Sequence, residues 1–129
     1  MGLLFTLFLA CNKDEGDASC IKLQGTWQCQ SWKDDGEEAL APDGLITSAQ
    51  INFDTLDGDH GTYHWDINFL IAGSENILGT YTVNSDCNQV TLTPQDGGPV
   101  EYKFKFDGDI LILDQTNNVA VTEIKFTKE

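Results

Sequence analysis

Basic residues are scarce in this sequence, and their scarcity argues against one large class of partner. The chain has 129 residues, with 7 Lys and Arg against 21 Asp and Glu, and its formal net charge is -14. A surface of that sign repels phosphate backbones, so we expect no nucleic-acid partner. It also lacks the basic patch through which some proteins adsorb to anionic lipid headgroups. The acidic surface is expected mainly to keep the protein soluble.

The residues that build metal sites and catalytic sites are few as well. The sequence has 2 His and 4 Cys, and no two Cys have the spacing of a zinc site. His60 falls in a predicted turn and His64 on a predicted outer face, so neither stands beside an inward-facing nucleophile. We also expect no carboxylate on the same face as the inward hydroxyls Ser31, Tyr102 and Thr122. We therefore predict no catalytic residue, no metal and no cofactor, and we expect a binding protein rather than an enzyme.

The sequence has no apolar run long enough to cross a bilayer core, which takes roughly 20 residues. Its longest run, residues 2–10, has the length of the apolar region of an export signal and ends on a small residue, Ala10. The tetrapeptide Phe8-Leu9-Ala10-Cys11 resembles the lipobox of bacterial lipoproteins. That resemblance implies that Cys11 becomes the first residue of the mature chain and carries the acyl chains that tie it to a membrane.

The residues after Cys11 are polar, contain Gly and lack large hydrophobic side chains, which predicts a flexible tether. We expect a signal peptide over 1–10, the lipidated cysteine and tether over 11–24, and one folded domain over 25–129. Lys13-Asp14-Glu15 resembles the charged sorting signal of some Gram-negative lipoproteins. It implies an outer-membrane protein that is exposed at the cell surface.

The folded part shows the marks of strands and turns, and no window has a helical period. Segments rich in β-branched and aromatic residues are separated by Gly, Asp, Asn and Pro. The predicted strands are 25–32, 49–54, 61–71, 76–84, 89–94, 100–107, 110–116 and 120–128.

Side chains alternate along these segments with a period of two. Tyr63, Trp65 and Ile67 share one face of their segment, while His64 and Asp66 share the other. Such alternation means that one face is buried and the other is in water. It places ten of the eleven aromatic residues after Cys11 inside and leaves the remaining one, a tryptophan at position 32, outside. The sequence predicts an all-β fold, an eight-stranded antiparallel up-and-down barrel, with a two-sheet sandwich as the alternative.

A Gly-x-Trp motif opens the first predicted strand as Gly25-Thr26-Trp27. In this position it resembles the motif of lipocalins and related calycins, as found in lipocalin-like domains of bacterial lipoproteins. The resemblance implies that Trp27 packs across the closed end of the barrel. The family's arginine, which packs on this tryptophan from the last strand, is absent, and that strand offers Lys125 and Lys128 instead.

If strand one rises from the closed end, as in that family, the inward residues separate into a bulky lower layer and a smaller upper layer. An eight-stranded barrel is just wide enough to be filled by side chains or to hold one small ligand. We therefore predict an apolar cup at the open end, and the connection Lys33–Ser48 could act as its lid. The predicted ligand-binding residues are Ser31, Phe69, Ile71, Ile77, Leu92, Tyr102, Leu113 and Thr122. A fully packed core is the alternative.

Three cysteines remain after Cys11, and three residues allow three pairings. Cys20 lies just before the first strand and Cys87 in a turn between strands four and five, so the barrel topology places both at the closed end. Cys29 faces inward from within strand one. We predict a disulfide between Cys20 and Cys87, with Cys29 as a buried thiol.

The sequence thus predicts a surface-anchored protein that binds a small hydrophobic or amphipathic ligand in the open end of its barrel. Two other functions stay open. The first is a protein-interaction module with a solid core, in which Trp32 and the Lys33–Ser48 connection form the contact surface. The second is a small hydrolase or isomerase that uses Tyr102, Ser31 and Thr122.

Overall fold

The fold is an antiparallel meander, seen in a computed structural model that describes residues 20–71, 73–116 and 121–129. Strands take up most of this part, and a single helical turn precedes them at 20–22. The strands are β1 (Gly25–Asp34), β2 (Glu37–Glu38), β3 (Ile46–Phe53), β4 (His60–Phe69), β5 (Gly73–Val83), β6 (Gln89–Pro94), β7 (Val100–Asp107), β8 (Ile110–Thr116) and β9 (Val121–Lys128).

Closure of the sheet makes the meander a barrel. Neighbours from β3 to β9 pair in chain order, β1 pairs with β3, and β9 returns to pair with β1. The eight long strands form a closed antiparallel barrel in which none of them is left as a raw edge. The predicted fold is therefore confirmed. The two-residue strand β2 is an addition that the sequence did not predict.

The core follows from the alternation of side chains along each strand. On β4, Tyr63, Trp65 and Ile67 are buried, and the intervening His64 and Asp66 are partly exposed. The other long strands bury their inner face in the same way, so aromatic and aliphatic side chains from all of them meet in one cluster. Because apolar burial is the main favourable term in folding, this shared face is what specifies the strand register.

Trp27 fills the closed end, as the Gly-x-Trp motif implied. It is 2% exposed, and its indole Nε1 donates a hydrogen bond to the carbonyl of Leu23 at 2.8 Å. The ammonium of Lys128 lies 4.6 Å from the centroid of the Trp27 ring, in the position of a cation–π contact. Gly25 makes room for it: a Cβ there would lie 2.7 Å from Lys128 Cε. Lys128 thus takes the place of the family's missing arginine.

A β-bulge in β1 reverses the alternation of that strand. Cys29 pairs with Phe126 and Ser31 pairs with Lys125, so Gln30 is an extra residue without an opposite partner. Beyond it, Trp32 pairs with the core residue Ile124 and faces inward. The predictions that Trp32 points outward and Ser31 inward are therefore wrong, because a parity argument fails once one strand gains a residue.

The cysteines are arranged as predicted. A disulfide joins Cys20 and Cys87, which are 67 residues apart in sequence, at the closed end. Cys29 is free and buried. Burial raises the pKa of the Cys29 thiol to about 12, so this side chain stays protonated and packs as a small apolar group.

Two further predictions fail at the open end. β4 ends at Phe69, and Ile71 lies in the following turn with 83% of its surface exposed, so its predicted place inside the barrel is wrong. The connection between β1 and β3 is part of the wall rather than a free lid. β2 pairs with the end of β1, Leu40 forms a bridge with Ile46, and Ala39 and Leu40 pack against the core.

Glu38 holds this connection in place. Its carboxylate accepts hydrogen bonds from the hydroxyl of Ser31 at 2.8 Å, the backbone N–H of Trp32 at 2.7 Å and that of Leu40 at 3.3 Å. Partial burial alone would raise the pKa of Glu38, but these three donors and the charge of Lys33 outweigh it and lower the pKa below its ordinary value.

No helix within residues 20–71, 73–116 and 121–129 has both the length and the apolar character needed to span a membrane.

Removing the disulfide is expected to destabilise the barrel. For a loop of 67 residues, the loss of chain entropy in the unfolded state predicts a cost of about 4 kcal/mol. Denaturant unfolding with and without reductant measures this cost. Reductant should lower the free energy of unfolding of the parent and of Cys29→Ala, and should leave that of Cys20→Ser/Cys87→Ser unchanged. Equal sensitivity of the double variant to reductant would contradict the pairing.

Replacing Glu38 by Gln is expected to lower stability by about 1 kcal/mol at neutral pH, a figure discounted for the partial exposure of the carboxylate. The pKa of Glu38 is lowered in the folded state, so its contribution is present above pH 4.5 and is lost as the pH falls through the folded value. Thermal unfolding at neutral and acidic pH should show the gap between parent and Glu38→Gln closing in acid. Glu37→Gln is the control, and a gap that persists in acid would oppose this assignment.

Candidate functional site

The two ends of the barrel interior differ in how far water reaches their side chains. The large side chains that are fully buried, Trp27, Phe53, Tyr81 and Phe126, lie toward the closed end. Toward the other end, side chains that face inward are only partly buried: Trp32, Phe69, Ile77 and Tyr102. Phe106 at the closed end is partly buried as well, but there Trp27 and Lys22 pack against its ring. At the other end, four such side chains lie together. This end of the barrel is the candidate ligand site.

The structure brings together most of the predicted ligand-binding residues. Leu92 and Leu113 are buried in the middle of the barrel, and Thr122 is buried on β9. Phe69, Ile77 and Tyr102 lie toward the open end and are partly buried. The two exceptions are the residues corrected above, one displaced by the bulge and one beyond the end of β4. Whether the remaining six contact a ligand stays a prediction.

A polar group that the sequence argument missed lies beside Thr122. The bulge in β1 turns Asp34 to the inner face, where it pairs directly with Thr122. Thr122 Oγ1 donates a hydrogen bond of 2.8 Å to Asp34 Oδ1. The expectation that no carboxylate shares a face with the inward hydroxyls is therefore wrong. Only the reversed alternation after Gln30 could have revealed it.

Tyr102 lies close to this pair. Burial, with smaller contributions from the neighbouring Tyr63 hydroxyl and Asp34 carboxylate, raises the pKa of Tyr102 to about 12. The phenol is therefore neutral at physiological pH, and it can donate or accept a hydrogen bond. The open end thus combines the carboxylates of Asp34 and Glu75 and the hydroxyls of Thr122 and Tyr102 with an apolar wall.

Two tryptophans form the aromatic part of that wall. The rings of Trp32 and Trp65 have centroids 5.4 Å apart and are tilted by 38°. Trp65 is 5% exposed, and its indole Nε1 has no hydrogen-bond partner, the single such buried side-chain atom in the part of the chain that the structure describes. A buried donor without an acceptor costs free energy, and such atoms are rare in folded proteins.

A second concavity lies outside the barrel, at the closed end. It has a volume of about 700 Å³ between the turn before β1, the connection Asp54–Asp59 and the turn at Asn84–Cys87. Turn residues and the disulfide form most of its wall, and Val83 is the one strand residue that borders it. We therefore take the open end of the barrel, rather than this cleft, as the candidate site.

The residues that the sequence suggested for catalysis are not brought together in the described part of the chain. Ser31 donates to Glu38 on the outer face and is separated from Tyr102 and Thr122, so the three hydroxyls do not converge. His64 lies on the outer face, within 2.9 Å of Asp66. Within residues 20–71, 73–116 and 121–129, no cluster of three or more His, Cys, Asp or Glu could hold a metal ion.

Comparisons with solved structures support the fold. A redesigned β-barrel matches with a TM-score of 0.61 and 15% identity, over 84% of this chain and 92% of that one. Japanin from Rhipicephalus appendiculatus, solved bound to cholesterol, matches with a TM-score of 0.58 and 12% identity, over 81% and 74%. The siderocalin Ex-FABP matches with a TM-score of 0.57 and 11% identity, over 84% and 74%. At these identities the match concerns the fold alone.

Sequence comparison gives the family. No curated protein matches the chain. The family model of the lipocalin-like domain, however, matches residues 23–127, which is nearly the whole barrel. The chain belongs to the lipocalin-like domain family.

Proposed function

We propose that this protein is a membrane-anchored lipocalin-like protein that holds a small hydrophobic or amphipathic molecule in the open end of its barrel. The observation that carries the proposal is the partial exposure of Trp32, Phe69, Ile77 and Tyr102, which face inward yet remain in contact with solvent. An apolar molecule seated on them would remove that surface from water, at about 25 cal/mol per Å².

The family supports binding over catalysis. Lipocalins generally bind ligands and do not catalyse reactions. Small-molecule sites are mostly apolar, with a few polar groups that fix orientation, and the open end has this composition. Its polar groups include Asp34, Tyr102 and Thr122. The interaction-module alternative loses part of its support, because Trp32 packs on Trp65 inside the barrel and is not an exposed contact residue.

The membrane anchor is proposed from the sequence. Cys11, at the end of the apolar run 2–10, lies outside the described residues, and so do the signal peptide and most of the tether. Lipidation of Cys11 would place the barrel at a membrane surface, and the sorting signal after it favours the outer membrane of a Gram-negative bacterium. Two or more acyl chains on one residue are enough for stable anchoring.

Filling the open end should block binding. Ile77→Trp adds bulk on the inner face of β5, whereas Leu78→Trp adds the same bulk at the next position, which is 49% exposed on the outer face. Titration with the neutral fluorophore N-phenyl-1-naphthylamine should show affinity about tenfold weaker for Ile77→Trp, near 1.4 kcal/mol, and unchanged for Leu78→Trp. Failure of the parent to bind, or equal losses in both variants, would count against the proposal.

The anchor is tested by metabolic labelling. Expressed in a Gram-negative host, the full chain should incorporate an alkynyl fatty acid and partition with membranes. Cys11→Ser should lose both the label and the membrane association, because the thiol that receives the acyl chain is gone. Cys29→Ser is the matched control and should keep both. Label retained by Cys11→Ser would refute lipidation at this residue.

A further inference from the structure

The negative charge at the open end limits which ligands the barrel can hold. This inference rests on the proposed function. Asp34 is the last residue of β1 and lies on the inner face. Among the described residues, only the Thr122 hydroxyl donates a hydrogen bond to its carboxylate, at Oδ1. Glu75 lies on the inner face of β5, directly opposite Ile67, and is exposed. Both carboxylates therefore stand where β1 and β5 reach the open end.

No cationic side chain compensates this charge within the described barrel interior. Lys22 and Lys128 are at the closed end, where they cover the rings of Phe106 and Trp27. The remaining described lysines alternate with inward residues and so lie on the outer face: Lys33, Lys103, Lys105 and Lys125. The sequence has no arginine, and residues 72 and 117–120 include no basic residue. Anything bound at the open end thus experiences an uncompensated negative potential, reinforced by the net charge of -14.

The aromatic wall adds a second, independent indication of a ligand. Trp32 lies two residues before Asp34 on the same inner face and packs against Trp65, and the faces of aromatic rings attract cations. Trp65 Nε1 is buried and lacks an acceptor, although the side chain points to the barrel interior. An occupant that carries a hydroxyl or carbonyl oxygen in addition to a cationic group could provide that acceptor.

We propose that the barrel is selective for cationic amphiphiles, with an ammonium group beside Asp34 and the apolar part against Trp32, Trp65 and Phe69. The ammonium replaces its lost water by a charge-assisted hydrogen bond to the carboxylate. A fatty acid of the same length carries its charge with the opposite sign, and it would meet Asp34 and Glu75 without a counterion. The site thus selects for the sign of the ligand's charge, while its apolar wall accepts different hydrocarbon chains.

Three probes of equal chain length test this inference on the whole folded protein: decylamine, 1-decanol and decanoate. Isothermal titration at neutral pH and low salt should give an affinity for decylamine at least about tenfold above that for decanol, with decanoate the weakest. The preference for the amine should shrink as salt is raised, since screening weakens the attraction to an accessible carboxylate.

Asp34→Asn isolates the carboxylate. The amide oxygen can still accept from Thr122, so the fold is preserved while the charge is lost. This variant should lower the affinity for decylamine about tenfold and leave decanol unchanged. Glu123→Gln is the matched control, because Glu123 follows Thr122 on the outer face and pairs there with Lys33. It should change none of the affinities.

The outcomes separate the two proposals. If none of the three probes binds, the proposed function fails and this inference fails with it. If decanol or decanoate binds as well as decylamine, or if Asp34→Asn and Glu123→Gln have equal effects, the open end is an apolar site without charge selectivity. In that case the proposed function stands and the cationic ligand is rejected.

Discussion

The pairing of β1 with β9 is the constraint on which the rest of this structure depends. It closes the meander, so the eight long strands share one interior and no long edge is left unpaired. It also sets Lys128 over Trp27 at one end and Thr122 beside Asp34 at the other. The closed end and the open end are thus built by the same two strands.

The single extra residue in that ladder divides β1 into two functional halves. Below Gln30, Trp27 and Cys29 face inward and seal the base. Above it, the alternation is reversed, and Trp32 and Asp34 face inward at the open end. A bulge often redirects a side chain near a functional site, and here it introduces the one carboxylate that neighbours the inward hydroxyls. Without the bulge, the upper interior would contain Ser31 and Lys33 in their place.

The barrel fold could be predicted from the sequence because the same strand and turn patterns recur along the chain. Most long strands alternate over most of their length, and the turns carry Gly, Asp or Asn where the chain reverses, as at Gly108 with its φ of 62°. The disulfide could be chosen because the barrel topology put Cys20 and Cys87 at the same end. The base could be assigned from Gly25-Thr26-Trp27. Each of these predictions rests on several residues that agree with one another.

The open end could be predicted only in part, for a physical reason. A bulge has no characteristic residue type by which it can be recognised in a sequence. One inserted residue moves every later side chain of the strand to the opposite face, and for this reason Ser31 and Trp32 were assigned to the wrong faces. The single sign was Trp32, the one aromatic residue of the folded part that parity left in water. The end of β4 was set two residues too late, because Leu70 and Ile71 continue an apolar pattern into the turn. Nuclear Overhauser contacts of the Trp32 indole show on which face of β1 this side chain lies. The bulge and the closure of β1 on β9 require contacts with Trp65 and the Ile124 methyls inside the barrel. Contacts limited to Glu123 and Lys125 on the outer face would contradict this structure.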